Sequence, residues 1–269
     1  NTDGKIEVIA TGSDNLVVGG KTQTGILSDT AAKQAEINAE RDNVIEAGQN
    51  GVCSQVGTIS LSAKKNNQIQ VGKDGLKADG QDSAQSVVTS EAGVANLIKA
   101  GDTENVDYDG QEVTFGDSHA AYAENGGDIF IKAGEANVLA GAVYANGTGA
   151  VVKMSGLDGA EANVTNAVYS AAVIADAGDL NTDDNFKDKS VISALYAEDG
   201  AKISVSGTQN VFRTYADNTN ENQLERVLWA YDGADITVDG ATFISTDRYS
   251  SSPNSADIAI AAGTAGGGG

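Results

Sequence analysis

Few residues in this chain are of a type that carries chemistry. The one histidine, His119, is the only base that a Ser-His-Asp site could use. It sits in Gly116-Asp117-Ser118-His119-Ala120, which reads as an exposed turn between two strands, so a catalytic base is not expected there. One histidine and one cysteine, Cys53, cannot make a zinc site of several His/Cys ligands, nor can one cysteine build a disulfide framework. Asp179-Leu180-Asn181-Thr182-Asp183-Asp184-Asn185 resembles the start of a calcium loop, with Asp179, Asp183 and Asp184 as its candidate binding residues. It lacks the glycine and the closing glutamate of the EF-hand pattern, and a solvated acidic insertion is the plainer reading. No metal or cofactor is expected. Carboxylates are plentiful enough for a glycan-active site. The arginines that a lyase would set beside them, Arg41, Arg213, Arg226 and Arg248, are scattered.

The most informative set is aromatic. Tyr122-Ala123, Tyr144-Ala145, Tyr169-Ser170, Tyr196-Ala197 and Trp229-Ala230 recur through the second half, four of them followed by turn residues such as Asn125-Gly126, Asn146-Gly147, Asp199-Gly200 and Asp232-Gly233. Strand alternation turns Val143 and Ala145, Leu195 and Ala197, and Leu228 and Ala230 to one apolar face. The aromatics between them must then face outward. Such a column either stabilises a sheet by cross-strand stacking or offers an amphipathic stripe to sugar rings or another protein. Two insertions, Asp176–Ser190 and Ala216–Arg226, enter just before the strands of Tyr196 and Trp229 and flank that stripe.

The elements that must position these residues come from an internal repeat. Four copies of N-x-[IV]-x-[AVG]-G begin at Asn15, Asn43, Asn67 and Asn96. An alternating segment precedes each: Ile6/Val8/Ala10, Ala35/Ile37/Ala39, Ile59/Leu61/Ala63 and Val88/Ser90/Ala92. A third segment follows three of them: Gly25-Ile26-Leu27-Ser28, Gly51-Val52-Cys53-Ser54 and Gly75-Leu76-Lys77-Ala78. Three short period-2 strands per unit predict an all-β chain, a right-handed parallel β-helix of roughly nine coils. Asn43 and Asn67 are expected in an interior amide ladder. One local signal opposes this: Asp29–Glu46 is rich in good helix formers. The repeat places Ala35, Ile37 and Ala39 on a strand, and the alternative is a helix over part of Thr30–Glu40.

Composition narrows the function. The 269 residues carry a net charge of −21, so the basic footprint that nucleic acid requires is missing. No apolar run reaches the roughly 20 residues of a membrane-spanning helix. With 40 % hydrophobic residues the chain can still bury a core. Aromatics make up only 5 %, which suits a narrow, regularly stacked interior. Residues 1–262 are expected to form one domain. The glycine-rich 263–269 reads as a tail or linker scar, and the Asn1 start as a processed product or excised fragment.

With its N-x-[IV]-x-[AVG]-G ladder, acidic Gly/Asn/Thr/Ser-rich composition and near absence of cysteine, the chain resembles the passenger domain of an autotransporter adhesin. That bacterial surface class includes pertactin-like and self-associating adhesins. The resemblance covers about residues 4 to 262 and lacks the C-terminal translocator barrel of such families. It implies an extracellular fragment, exported through the outer membrane, that acts by binding and not by catalysis. The implied partners are a host or matrix protein, a glycan, or an identical molecule, with attachment, aggregation or biofilm formation as the outcome. The binding residues expected are Tyr122, Tyr144, Tyr169, Tyr196, Trp229, Asp179, Asp183 and Asp184. A glycan-active enzyme and a purely structural stalk are the alternatives.

Overall fold

The structure, a computed structural model, describes residues 5–29, 34–80, 85–101, 106–108, 111–113, 118–157, 163–176, 190–215, 223–246, 260–264 and 267–268. Its strands stack in parallel into three long sheets, and the chain is a right-handed parallel β-helix with eight rungs among the described residues. The first sheet starts with Lys5–Ala10, Gln34–Ala39 and Gly57–Ala63. The second starts with Asn15–Val18, Asn43–Ala47 and Asn66–Val71. The third starts with Ile26–Ser28, Val52–Ser54 and Asp74–Asp79. In the last two rungs, Lys202–Thr214 and Asp235–Thr246 run through the corner between the first and second sheets without a break.

Alternation explains why these residues stack. In the first sheet Ile6, Ala35, Ile59, Val88, Ile129, Val152, Ile203 and Ile236 pair in one inward column. In the second, Ile45, Ile69, Ile98, Leu139, Val168 and Phe212 do the same. A one-residue slip would turn every one of these side chains to solvent, so the register is strongly specified. The opposing local signal loses to this: Gln34–Ala39 and Asn43–Ala47 are strands, and no α-helix occurs among the described residues. Ala, Glu and Gln cost a strand little compared with the burial of Ile37 and Ile45.

The amide ladder is present and longer than the four sequence copies. Asn15 Nδ2 donates to Asn43 Oδ1 at 2.9 Å, Asn43 to Asn67 at 2.9 Å and Asn67 to Asn96 at 3.0 Å. It continues from Asn96 to Asn137, Asn137 to Asn166 and Asn166 to Asn210 at 2.8, 2.8 and 3.0 Å. The second hydrogen of each amide reaches a carbonyl at the end of a first-sheet strand, such as Ser62, Glu91 or Lys132. Both donors and the acceptor of an interior amide are thus used, which is what makes its burial tolerable. In the eighth rung Thr242 takes the ladder position and turns its hydroxyl to Gly240 O.

The sequence breaks between the second and third strands of a rung fall at a single corner. They comprise 101–118, 171–194, 215–227 and 247–259, in four of the last five rungs. Val173–Asp176, Ser190–Ile192 and Gln223–Glu225 build a small three-stranded sheet there. The opposite corner, after the third strand, carries the expected tight turns. Asn125, Asp199 and Asp232 have φ of 52°, 55° and 46°, each followed by a left-handed glycine, as Asn-Gly and Asp-Gly turns require. Ile260–Thr264 extends past residue 262, and Gly267–Gly268 pairs with it antiparallel, so the tail contributes to the third sheet.

Candidate functional site

The aromatic column forms on the third sheet with the expected strand parity but one wrong member. Leu27, Cys53, Lys77, Tyr122, Tyr144, Tyr196 and Trp229 are successive register partners. Tyr169 is not among them. Thr165–Ser170 contains Asn166 of the ladder and pairs with Ala136–Ala140 in the second sheet. The dipeptide Tyr169-Ser170 imitates the third-strand pattern, and the asparagine three residues earlier is the signal that separates the two.

The rings are not an open stripe. Tyr122 and Tyr144 stack with centroids 4.9 Å apart and 5° between planes; Tyr144 to Tyr196 is 5.0 Å and Tyr196 to Trp229 is 4.7 Å. Each interior ring spends both faces on its neighbours, so a sugar ring finds no free face among them. Cations close the ends: Lys77 Nζ lies 4.8 Å from the Tyr122 centroid and the Arg226 guanidinium 4.3 Å from that of Trp229. Tyr196 and Trp229, expected in solvent, are 1 % and 2 % exposed. The insertion corner explains this, because Arg226 runs from Gln223–Glu225 into the Trp229 strand and folds its side chain over the indole.

Carboxylates hold the phenols. Tyr122 OH donates to Glu124 at 2.6 Å, and Tyr144 and Tyr196 both donate to Glu198. Burial first, and then the bond to the neighbouring carboxylate, pushes all three phenols well above their usual range. Burial likewise pushes the Cys53 thiol up to about 11. A raised folded-state value means that these groups keep their protons longer in the folded chain than in the unfolded one. The phenols' contribution is complete below their unfolded value near 10 and the thiol's below its unfolded value of about 8.5, and each is lost as pH rises beyond it. The urea midpoint should therefore hold to about pH 8, begin to fall above it and drop most between about pH 10 and 12. The phenolate absorbance of Tyr122, Tyr144 and Tyr196 should appear with unfolding and not before it.

His119 corrects a second expectation. It is the first residue of the strand His119–Glu124, 9 % exposed, with Nδ1 2.8 Å from Asp74 Oδ1 on the rung below. Its ring leans on Tyr122 and Tyr144 at 4.9 and 5.3 Å. The reading as a turn failed because Asp74 lies 45 residues away in sequence yet is its register partner. Asp179, Asp183 and Asp184 lie outside the described residues. Among the described residues no group of three or more His, Cys, Asp or Glu could hold a metal ion.

An open apolar stripe exists on another face, which sequence reasoning missed. The residue after each ladder asparagine points outward from the second sheet. These are Leu16, Val44, Gln68, Leu97, Val138, Ala167, Val211 and Phe243, apolar in every rung but the third. Leu16, Leu97 and Phe243 are 67 %, 40 % and 60 % exposed, while Ala167 in the sixth rung is buried. The corresponding central outward column of the first sheet has one apolar residue, Phe130. Beside the stripe runs a parallel column of Val18, Glu46, Gln70, Lys99, Ala140, Tyr169, Arg213 and Ser245. The two columns bound a shallow groove of about 400 Å³ from Val44 to Tyr169. Tyr169 packs beside Ala171 and Tyr215 at its far end and is the one sequence-derived candidate on this face. The missed signal was an apolar residue directly after Asn, legible once the asparagines are aligned.

No family model, curated protein or solved structure matches the chain.

Proposed function

We propose that this chain is a fragment of a bacterial surface adhesin that works by binding, with the outer face of the second sheet as its contact face. The observation that carries this reading is the apolar outward column, which runs over eight rungs and is interrupted at Gln68 in the third and at the buried Ala167 in the sixth. Soluble monomers rarely leave such a stripe uncovered, and contiguous exposed apolar surface usually marks an interaction site. Many equivalent small contacts along an elongated face suit attachment by summed weak interactions. The resemblance to autotransporter passengers supports the extracellular setting and the choice of host protein, matrix protein, glycan or an identical chain as partner.

A structural stalk is the second reading. The stacking and burial of Tyr196 and Trp229 favour it, since that column then serves stiffness and not contact. A glycan and matrix-protein array, run beside a cell-aggregation assay, separates the two. The adhesin reading expects saturable binding or clumping that Leu97→Glu weakens at least tenfold. A stalk gives neither signal.

A further inference from the structure

Resting on the adhesin reading, we infer that the partner of the second-sheet face is a second copy of this chain, docked antiparallel about a two-fold axis between the rungs of Leu97 and Val138. Two features of the face support this occupant. The first is its charge. The chain as a whole stands at −21. The outward positions of the second sheet hold only Asp14, Asp42 and Glu46 against Lys99 and Arg213. Two such acidic molecules can approach closely only where each is near neutral.

The second feature is the order of side chains along the face. Leu97 and Val138 are the fourth and fifth members of the apolar column and register partners. A two-fold axis between them sets the first rung against the eighth, the second against the seventh and the third against the sixth. Leu16 then meets Phe243, Val44 meets Val211 and Leu97 meets Val138, with Gln68 against the buried Ala167 at the third and sixth rungs, so apolar residues oppose apolar residues at six of the eight levels along about 34 Å of solenoid. In the flanking column Glu46 meets Arg213 of the second copy, and Gln70 meets Tyr169. The Glu46–Arg213 pairing occurs twice by symmetry. Arg213 lies over the Tyr215 ring, 5.1 Å from its centroid, which holds the guanidinium at this edge. A parallel arrangement of the two copies would instead set Glu46 against Asp42, like charge on like, at both ends of the two-fold.

The order of pairing makes a cross-linking test specific. In the Cys53→Ala background, chains carrying Val44→Cys and chains carrying Val211→Cys are mixed and treated with a short bis-maleimide. The antiparallel dimer sets these positions opposite each other across two sheets about 10 Å apart, which that linker spans and a disulfide, limited to about 7 Å between Cα atoms, does not. A Val44→Cys chain alone would hold its thiols five rungs apart, about 24 Å along the solenoid. The expected result is a cross-linked dimer in the mixture and none in either chain alone. Sedimentation of the wild-type chain should show a monomer–dimer equilibrium that strengthens with salt as the repulsion between the copies is screened. Glu46→Arg should raise the dimer Kd at least tenfold, and adding Arg213→Glu should restore it. Self-linking of the Val44→Cys chain, a monomer at millimolar concentration, or a Glu46→Arg chain that dimerises as wild type would each overturn the inference. A monomer that still binds on the array through Leu97 leaves the adhesin reading standing without a self-partner. A dimer whose displaying cells neither attach nor clump leaves the self-partner standing without the adhesin.

Discussion

Replacing Asn67 with Leu should cost about 3–5 kcal/mol of stability, more than a buried polar-to-apolar change of similar size usually does. Asn67 is fully buried in the middle of the ladder. Its loss strips Asn43 Nδ2 of an acceptor and Glu91 O of its amide partner, while Asn96 Oδ1 keeps Ser90 Oγ as a donor. Each orphaned buried group costs about 1–3 kcal/mol, and leucine cannot satisfy any of them. Asn15→Leu, at the first rung, removes only the bonds to Asn43 Oδ1 and Asn38 O near an open edge and should cost about 1 kcal/mol. Urea midpoints at unchanged slope read the difference. Equal losses at Asn67 and Asn15 would mean that the ladder contributes by local packing and not by its chain of amides.

Truncating Tyr196 to Ser should be nearly as damaging, at about 3–5 kcal/mol, the cost typical of emptying a buried aromatic site. Tyr196 is stacked between Tyr144 and Trp229 and donates to Glu198 at 2.5 Å. An outward strand position would ordinarily tolerate serine, and the burial of the ring between Tyr144 and Trp229 makes the difference. Tyr169→Ser, on the other sheet and partly exposed, should cost no more than about 1–2 kcal/mol. If Tyr196→Ser unfolds at the wild-type midpoint, the column is not sealed in solution and the rings are accessible after all.

The contrast between those two tyrosines shows how far the sequence could be read. Strand parity was legible at Tyr144 and Tyr196 because small or apolar neighbours flank both, and alternation alone sets which side faces in. Burial was not legible, because it comes from the stacked neighbouring rings of other rungs and from Arg226 folded over Trp229. The first four ladder asparagines were legible from the glycine that closes each motif. Asn137, Asn166 and Asn210 continue the same hydrogen-bonded chain across separations of 41, 29 and 44 residues, with Ala171 and Tyr215 where the earlier copies turn at glycine. Losing that punctuation concealed the second strand in this half and let Tyr169 pass for a third-strand residue. The apolar outward column was concealed for the same reason. Leu97 and Val138 look like ordinary core residues until the ladder fixes Ile98 and Leu139 as the inward ones. His119 shows the remaining limit, since its partner Asp74 is set by stacking and not by any local motif.

The account rests most heavily on the second sheet, and not the aromatic column, being the contact face. The decisive measurement compares two variants in one attachment and aggregation assay after both are shown to fold. Leu97→Glu with Val138→Lys places opposite charges on register partners of the outer face and leaves Ile98 and Leu139 in the core. Tyr144→Phe keeps the stack of the third sheet and removes only the phenol bonded to Glu198. Attachment or clumping should fall at least tenfold for the double variant and stay at the wild-type level for Tyr144→Phe. Full activity of the double variant, with a loss at Tyr144, would contradict the account and return the contact to the aromatic column.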